Sequence, residues 1–288
     1  MLIAESGPRV SRDLADITTR DWNRGAADYA SIESDASRYA RVAAAMVTMA
    51  DIRRGMHVVD LACGTGTVTE HLVGRFADLS ITAIDQSNEM LQIARQRVPS
   101  PSIRFELARA EHMGEVVARP VDRVLCNAAF WQMNMRRVLR IVRDLLTNDG
   151  CFVVSCPDRS PASDTTDIDE LYVRSKLAWM LLEERAAMGR PLERDHRRER
   201  VSQSDIVIGH AADCGFRLAA SRTIPVQSSV AGTLQFLQLP ALFKASPLLA
   251  GLSPTEREDL LRVVANELEY VDATVSPKLW RVLVLMPA

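Results

Sequence analysis

The feature that most constrains this chain is a glycine turn that joins a short apolar run to a helix. Residues 56–61 are MHVVDL, a strand-like run that ends in a leucine preceded by an acid, and ACGTGT follows directly. The next residues, VTEHLVGRF, are helical in character. Glycines at 64 and 66 let the backbone turn tightly and approach a ligand closely. The motif therefore predicts a strand, a ligand-binding turn and a helix whose N-terminus supplies unpaired N–H groups.

A carboxylate lies at the end of the next strand-like run. Asp85 follows residues 81–84 and lies 19 residues beyond Gly66. At that place a carboxylate can accept hydrogen bonds from both hydroxyls of a ribose, so the turn and the acid together predict a nucleoside site at the carboxyl edge of a sheet. The alternative is that Asp85 caps the helix that follows it.

Two positions indicate which nucleoside the turn suits. A dinucleotide site places a small third residue at position 69, close to a pyrophosphate, but position 69 is Thr. Asp60 precedes the glycines, and an acid aimed at the turn would repel a pyrophosphate while it would suit an ammonium group. A ligand with a ribose, an adenine and a cationic amino-acid tail is S-adenosylmethionine.

Apolar runs and helical stretches alternate along most of the chain. Further strands are predicted at residues 103–107, 121–126, 151–156, 216–226 and 279–286, and helices at 37–50, 87–97, 135–146 and 204–214. Strands separated by helices favour an α/β fold with a doubly wound, mostly parallel sheet. Two long, mostly helical stretches interrupt this pattern, and we expect them to cap one end of the sheet because structureless loops of that length are uncommon.

The composition excludes several classes of protein. Hydrophobic residues make up 47% and charged residues 25% of the 288 residues, which is typical of a globular chain rather than a disordered one. The formal net charge is −2, so no global field attracts nucleic acid or anionic lipid. The first residues lack the apolar region of a secretory signal, and no apolar stretch reaches 18 residues. We therefore expect a soluble, cytoplasmic protein with no membrane and no nucleic-acid partner.

The cysteines and histidines predict neither disulfides nor a metal site. The chain has five cysteines with no CxxC pair, which favours reduced, buried thiols. None of the five histidines pairs with a cysteine or carboxylate at metal-ligand spacing, so we predict no metal. The acidic residues from 164 to 170 are interpreted as a solvated helix start rather than a magnesium site.

Five segments make the chain resemble the class I S-adenosylmethionine-dependent methyltransferases, and within them the small-molecule group that includes the ubiquinone and menaquinone methyltransferases. These segments are VVDLACGTG, ITAIDQSNEML, the pair Ala110–Glu111, VDRVLCNAAFWQM and LLTNDGCFVVSCPD. The resemblance covers about residues 22–157. It implies a Rossmann-like sheet of seven strands in which the last strand, LWRVLVLM, is inserted antiparallel.

The resemblance also implies a set of cofactor-binding residues. They are expected at the methionine part (Asp60, Ala62, Gly64, Gly66), the ribose (Asp85), the adenine (Gln86, Met90, Ala110, Glu111), the underside of the sulfonium (Asn127, Ala128) and a lid (Tyr29). Trp22 belongs to the same lid segment. The alternative for Trp22 and Tyr29 is that they are core aromatics.

The same comparison suggests how the chain is divided. Residues 1–50 are predicted to form an N-terminal helical lid segment. The methyltransferase core is predicted to comprise residues 51–157, 202–228 and 273–288, and the helical cap insertions residues 158–201 and 229–272.

The acceptor pocket is expected between the core and the caps. Its predicted lining comprises Trp22, Phe130, Trp131, Tyr172 and Trp179, although these residues could instead pack the caps onto the sheet. Methyl transfer depends mainly on alignment, so the family can lack a fixed catalytic residue. Weak candidates for a general base are His112, Asp158, Asp169 and Glu170.

Three functions remain after the sequence analysis. The first is methyl transfer to O, N or C of a small, largely apolar acceptor, typical of natural-product biosynthesis. The second is a different reaction on the same fold, such as a cyclisation in which the sulfonium acts as a fixed charge. The third is a nicotinamide-dependent dehydrogenase.

A nucleic-acid adenine methyltransferase is disfavoured because residues 127–130 are NAAF and lack the two prolines of that class. The partner is a small-molecule substrate, and a homodimer is left open.

Overall fold

A computed structural model describes residues 19–36, 38–157, 181, 183–190, 202–226, 230–245, 249, 251–268 and 278–288. Its strands are β1 (His57–Leu61), β2 (Ser80–Asp85), β3 (Ile103–Leu107), β4 (Val121–Cys126), β5 (Leu146–Pro157), β6 (Phe216–Val226) and β7 (Lys278–Pro287). Its α-helices are α1 (Thr19–Ala36), α2 (Arg38–Met49), α3 (Thr67–Arg75), α4 (Asn88–Arg97), α5 (Met113–Val116), α6 (Met135–Leu145), α7 (Gln203–Asp213), α8 (Val230–Gln238), α9 (Pro240–Ala245) and α10 (Pro254–Leu268).

The seven strands form one sheet in the order β3-β2-β1-β4-β5-β7-β6. Strands β1 to β5 pair in parallel, whereas β7 is antiparallel to both of its neighbours, β5 and β6. The predicted seven-stranded, doubly wound, mostly parallel α/β sheet and its antiparallel last strand are therefore confirmed. The order also places the carboxyl ends of β3, β2, β1 and β4 side by side at one edge of the sheet.

Two apolar cores lie against the sheet. Val58 belongs to a core that includes residues of α2, whereas its neighbour Val59 belongs to a core that includes residues of α6 and α7. Because successive side chains of a strand point to opposite faces, the sheet separates the two cores. Strand β4 is buried almost throughout, as expected for a strand covered by helices on both faces.

Strand β5 begins earlier than the sequence predicts. The sequence Asn148-Asp149-Gly150 is typical of a helix stop, so the expected strand was 151–156. In the structure α6 already ends at Leu145, and Leu146 pairs with Val121 across an irregularity in the β4–β5 register. The turn residues therefore lie within the strand pairing rather than between a helix and a strand.

Helix α1 lies within the N-terminal segment that is predicted to be helical. It buries Asp21 and Glu33 together with Ala26 and Ile32, so its inward face is partly charged. The helix packs on α4 and on α8 and α9. Close packing is possible because a Cβ at Gly25 would lie 3.3 Å from a side-chain carbon of Pro240.

The predicted cap stretches are described only in part. Residues 230–268 contain α8, α9 and α10, in agreement with the predicted helical character. Most of the segment 158–201 lies outside the described residues, including the helix start that is predicted at residues 164–170. The proposed division into lid, core and caps therefore stays a prediction. Of the helices that the structure describes, none has both the length and the apolar character needed to cross a bilayer.

Candidate functional site

A cleft of about 830 Å³ opens at the carboxyl edge of β1, β2, β3 and β4. It is lined by Trp22, Tyr29, Leu61, Ala62, Gly64, Ile84, Asp85, Gln86, Met90, Ala108, Arg109, Ala110, Glu111, Asn127, Ala128, Ala129, Gln132 and Met133. Ten of the twelve residues predicted to bind a cofactor are in this lining, and the other two are Asp60 and Gly66. Residues from four strand ends and from α1 therefore meet around one space, as the sequence predicts.

The turn between β1 and α3 has an unusual backbone. Ala62, Gly64 and Gly66 all have positive φ angles, of 57°, 54° and 89°. The Gly66 N–H donates to the Cys63 carbonyl at 2.9 Å and closes the turn. A Cβ at Gly64 would have no atom within 4 Å, so this glycine leaves open space where it lines the cleft.

Gly66 has a different task from Gly64. A Cβ at Gly66 would lie 3.2 Å from the Cβ of Ala94 and 3.4 Å from its Cα. The absent side chain therefore lets the start of α3 pack closely against α4. Gly66 is not in the lining of the cleft, and its role in cofactor binding stays a prediction.

Asp85 joins the glycine turn to the start of α4. Its Oδ2 accepts a hydrogen bond from the Gly64 N–H and its Oδ1 one from the Ser87 N–H, both at 2.9 Å. Burial raises the pKa of this carboxyl, and the N–H groups of Ser87 and Gly64 oppose that rise. The cap of α4 is Ser87, which accepts from the Met90 N–H, so Asp85 is not the cap itself. It lines the cleft while it holds two loops together.

Asp60 lies behind the lining. It is 1% exposed, and its Oδ2 accepts from the Thr69 N–H at 3.0 Å and the Thr69 hydroxyl at 2.6 Å. Its Oδ1 is buried and has no hydrogen-bond partner. Burial raises the pKa of Asp60 to about 7, against the bonds from Thr69, and the charges of Asp85 and Glu33 raise it further. The residue predicted to line the methionine part is thus a buried carboxyl that holds the first turn of α3.

The segment after β3 supplies the next part of the wall. Ala110 is buried, and Glu111 Oε1 accepts from the Asn134 N–H at 2.9 Å. Burial would raise the pKa of Glu111, but the Asn134 N–H and the Arg109 guanidinium, 3.5 Å away, outweigh it and lower the pKa. Glu111 is therefore an ionised wall residue that is already engaged.

The segment after β4 presents an oriented amide. Ser155 of β5 is fully buried, accepts from the Ala128 N–H at 2.9 Å and lies 2.6 Å from Asn127 Oδ1. Because the hydroxyl oxygen already accepts from Ala128, its proton is directed to Asn127 Oδ1. The Asn127 amide oxygen is therefore held by Ser155, and its NH₂ group donates one hydrogen bond to the Tyr39 carbonyl at 3.5 Å.

Two aromatic residues of α1 cover the cleft. Trp22 and Tyr29 both line it and meet edge to face, with ring centroids 6.1 Å apart. Tyr29 also stacks on Tyr39 at 6.3 Å. Tyr29 therefore lines the cleft and also packs among core aromatics, and its role as a lid stays a prediction.

Several predicted pocket and base residues lie elsewhere. Phe130 is fully buried against Phe152, with ring centroids 5.2 Å apart, so it belongs to the core rather than the pocket floor. Trp131 packs beside Trp280 and does not line the cleft. His112 Nδ1 pairs with Glu115 at 2.9 Å, outside the cleft. The remaining candidates, Asp158, Asp169, Glu170, Tyr172 and Trp179, lie outside the described residues.

Some lining residues were not predicted. They are Leu61, Ile84, Ala108, Arg109, Ala129, Gln132 and Met133. Each lies within five residues of a predicted one, and Gln132 and Met133 belong to the segment NAAFWQM. Their proximity to the strand ends was the available signal. No group of three or more metal-ligating side chains occurs within the part of the chain that the structure describes.

Comparison with known proteins finds a methyltransferase domain within the chain. A family model described as a methyltransferase domain matches residues 58–150, the part that holds β1 to β4 and the glycine turn. Over 139 residues the chain is 35% identical to a trans-aconitate 2-methyltransferase of Rhodopseudomonas palustris strain BisA53, which covers 48% of this chain and 51% of that protein. Residues 58–150 of the chain thus contain a methyltransferase domain, as the resemblance implies. The narrower likeness to the ubiquinone and menaquinone enzymes stays a prediction.

Two solved structures share the fold. One is a phosphoethanolamine N-methyltransferase 2 of Haemonchus contortus in complex with phosphomonomethylethanolamine and S-adenosylhomocysteine, at 13% identity and a TM-score of 0.50, covering 95% of this chain and 61% of that one. The other is the [4+2]-cyclase SpnF, at 16% identity and a TM-score of 0.51, covering 86% of this chain and 81% of that one. These likenesses show the fold alone.

The chain spans about half the length of the curated relatives it matches. The match therefore describes residues 58–150, whereas the activity of the whole protein has to be argued from its own cleft.

Proposed function

We propose that the protein binds S-adenosylmethionine in this cleft and transfers its methyl group to O, N or C of a small, largely apolar acceptor, as in natural-product biosynthesis. The observation that carries this proposal is the position of Asp85. Its carboxylate lines the cleft and is bonded to the Gly64 N–H, so the acid and the glycine turn face the same space. A nucleoside that uses both would be held at the sheet edge.

The electrostatics of the turn fit a cationic tail rather than a pyrophosphate. Asp60 occupies the Thr69 N–H in the first turn of α3, and Glu33 accepts from the hydroxyls of Thr65 and Thr67. Two carboxylates thus lie at the helix N-terminus where a dinucleotide enzyme would receive phosphate. Asp60 Oδ1 is buried without a partner, which fits an ammonium group whose charge it would balance. This arrangement disfavours the dehydrogenase alternative.

The chain's residues would bind the cofactor, orient it toward the acceptor and exclude water from the site. When bound, S-adenosylmethionine supplies a methyl group on a sulfonium, which a lone pair of the acceptor displaces. Gln86, Met90 and Ala110 would hold the adenine, and Trp22 and Tyr29 would cover the site. Orientation of this kind can contribute about 7–11 kcal/mol to lowering a barrier.

The cleft offers no unoccupied base among its described lining. Its two carboxylates, Asp85 and Glu111, each accept backbone N–H groups. An acceptor that is already ionised near neutral pH would need no base. Asn127 lines the cleft, and its NH₂ group has a second proton besides the one directed to the Tyr39 carbonyl, which would be available to an acceptor oxygen that keeps a lone pair for attack. We therefore propose a carboxylate oxygen of a small molecule as the first acceptor class to test. The trans-aconitate named for the relatives is also a carboxylic acid, although it is far more polar than the largely apolar acceptor proposed above.

The test measures product and protons together. Purified protein is incubated with S-adenosylmethionine and a panel that contains trans-aconitate, other small carboxylic acids, phenols and amines, and S-adenosylhomocysteine is quantified by mass spectrometry. Methylation of a carboxylate releases no proton, whereas methylation of a phenol or an ammonium group releases one, which a pH indicator detects. Formation of S-adenosylhomocysteine with an acid and without acidification is the expected result.

Other outcomes would contradict parts of the proposal. One proton per turnover would exclude the carboxylate class while it keeps methyl transfer. Binding of S-adenosylmethionine with conversion of an acceptor but no S-adenosylhomocysteine would favour the cyclisation alternative. Stabilisation by NAD and not by S-adenosylmethionine would overturn the cofactor assignment.

The compartment and partners are proposed on similar grounds. The five cysteines are free, and four of them are buried. We propose a cytoplasmic protein, because free thiols are typical of a reducing compartment. A small-molecule substrate with no nucleic-acid or membrane partner is proposed from the near-neutral charge, and the homodimer stays an open prediction.

A further inference from the structure

The strongest unexplained group near the cleft is Glu33 of α1. It is 6% exposed, although glutamate is rarely buried unless it is paired. Its Oε1 accepts from the Thr67 hydroxyl at 2.5 Å, and its Oε2 accepts from the Thr65 hydroxyl. These partners lie 34 and 32 residues further along the chain, on either side of Gly66. One carboxylate of α1 thus bonds both threonines of the glycine turn.

A cation completes this cluster. Arg97, at the end of α4, lies 3.2 Å from Glu33 Oε2 and donates to the Thr67 hydroxyl at 3.0 Å. The other nitrogen of its guanidinium lies 2.7 Å from Glu70 of α3. Arg97 therefore balances the buried charge of Glu33 and ties α1, α3 and α4 at one point, which is what allows a carboxylate to remain inside.

Two further polar contacts hold α1 to the opposite rim. The Ser87 hydroxyl donates to Asn23 Oδ1 at 2.6 Å, and the Thr19 hydroxyl donates to Gln86 Oε1 at 3.2 Å. Between these contacts and Glu33, α1 places Trp22 and Tyr29 over the cleft. The helix is thus bonded at both ends to the two loops that Asp85 joins. These hydrogen bonds add to the apolar contacts that Ile32 and Tyr29 make with the core, so α1 is held to the loops by polar bonds as well as by packing.

We propose that Glu33 is a latch, whose bonds to Thr65 and Thr67 hold α1 closed over the cleft and hold the glycine turn in its ligand-binding conformation. A ligand leaves only when these bonds break. Glu33 is therefore a positioning residue, because it acts through the turn and does not line the cleft. The inference rests on the proposed function to the extent that the ligand measured is S-adenosylhomocysteine.

The chain offers matched variants for a test. Glu33→Gln keeps the size of the side chain but replaces one acceptor oxygen by a donor. Thr67→Val removes one hydroxyl partner with little change of shape, so it tests the same bond if the first variant folds poorly. Asp28→Asn is the control, because Asp28 is an exposed carboxylate on the same helix. Association and dissociation of S-adenosylhomocysteine are measured by surface plasmon resonance on the full chain.

A latch predicts a particular kinetic pattern. Loss of a hydrogen bond to a charged group should raise the dissociation rate constant about tenfold or more in Glu33→Gln and Thr67→Val. The association rate constant should be unchanged or higher, because an open lid admits ligand more readily. If Glu33 only stabilised the fold, the variants would have a smaller folded fraction, and their apparent association rate would fall in proportion. Dissociation rates of both variants within about twofold of the wild type and of Asp28→Asn would overturn the latch.

A ligand-free measurement separates this inference from the proposed function. Amide hydrogen exchange of residues 19–36 and 64–69 should become faster in Glu33→Gln than in Asp28→Asn, with no ligand present. Unchanged exchange in both segments would also overturn the latch. A wild-type protein that does not bind S-adenosylhomocysteine but shows faster exchange in Glu33→Gln would instead contradict the proposed function and keep the latch.

Discussion

At the scale of single residues, Asp85 combines two tasks that are usually separate. Its two oxygens hold the glycine turn and the start of α4 at 2.9 Å each, and the residue also lines the cleft. A ribose would therefore meet a carboxylate whose position is already fixed by two backbone N–H groups. Fixed acceptors of this kind lose little freedom when they bind a ligand.

Replacing Asp85 should weaken cofactor binding without unfolding the chain. Asp85→Ala removes charge-assisted hydrogen bonds, so the affinity for S-adenosylhomocysteine should fall more than tenfold, or more than about 1.4 kcal/mol, in isothermal titration calorimetry. The control is Asp78→Ala, which removes an exposed carboxylate paired with Arg54. Equal affinities of Asp85→Ala and the wild type would exclude the ribose role.

The residues that could be predicted from sequence are those whose role can be inferred from their neighbours in the chain. Asp85 and Gly64 follow strand ends directly, so motif and spacing were enough to place them. Ser155 and Glu33 could not be placed, because they act on partners 27 to 34 residues away and neither stands in a distinctive motif. Phe130 was misplaced because an aromatic residue after a strand can turn toward the pocket or the core, and only the packing against Phe152 decides.

At the scale of elements, the β1–α3 turn uses its two glycines differently. Gly64 borders open space in the cleft, whereas Gly66 lies against Ala94 of α4. Both have positive φ angles, so a side chain at either position is strained by about 1–2 kcal/mol. Substitution by alanine would therefore cause similar backbone strain at both positions. The two variants would differ in which atoms the new methyl group contacts.

A pair of alanine variants should separate binding from stability. Gly64→Ala should lower the affinity for S-adenosylhomocysteine strongly and the melting temperature slightly, because its Cβ meets no atom within 4 Å. Gly66→Ala should lower the melting temperature more, since its Cβ would press on Ala94 at 3.2 Å and overpacking costs about 1–3 kcal/mol further. Calorimetry and thermal unfolding of both variants check this, and the reverse order of effects would contradict it.

Elements with one regular apolar pattern were predicted well. Strands β3, β4 and β6 have the predicted bounds, β1 begins one residue later than predicted, and β2 and β7 extend one residue further at each end. Helix α1 was not delimited, because its buried face includes Asp21 and Glu33, whose partners are polar groups of other elements. Periodicity detects burial against apolar surroundings and cannot detect burial against a polar turn.

At the scale of the whole molecule, alternation of strands and helices was enough to predict a doubly wound sheet. The position of β7 between β5 and β6 was not, since antiparallel insertion depends on pairings between strands more than 50 residues apart in sequence. It was implied only by the resemblance to a family. The free energy of unfolding also depends on a residue close to the cleft. Asp60 is buried beneath the sheet edge, and one of its oxygens has no partner.

The raised pKa of Asp60 gives the stability of the ligand-free protein a definite pH dependence. The unfolded chain loses this proton near the ordinary value of 3.8, whereas the folded chain keeps it until about pH 7. Between these values the folded state binds more protons, so its stability should fall as the pH rises from about 4 to 7 and then level off. The difference corresponds to on the order of 4 kcal/mol.

Asp60→Asn should remove this dependence and reveal its functional purpose. The amide keeps an oxygen for the Thr69 N–H and hydroxyl but carries no charge, so the variant should be more stable than the wild type at pH 8 and similar at pH 4.5, as measured by urea unfolding. Its affinity for S-adenosylhomocysteine should be weaker at pH 8, because only the ionised carboxyl attracts an ammonium group. The wild-type affinity should rise as the pH increases through about 7, and that of Asp60→Asn should not. Parallel affinity curves for the two proteins would show that Asp60 supports the fold of α3 and does not attract the ligand.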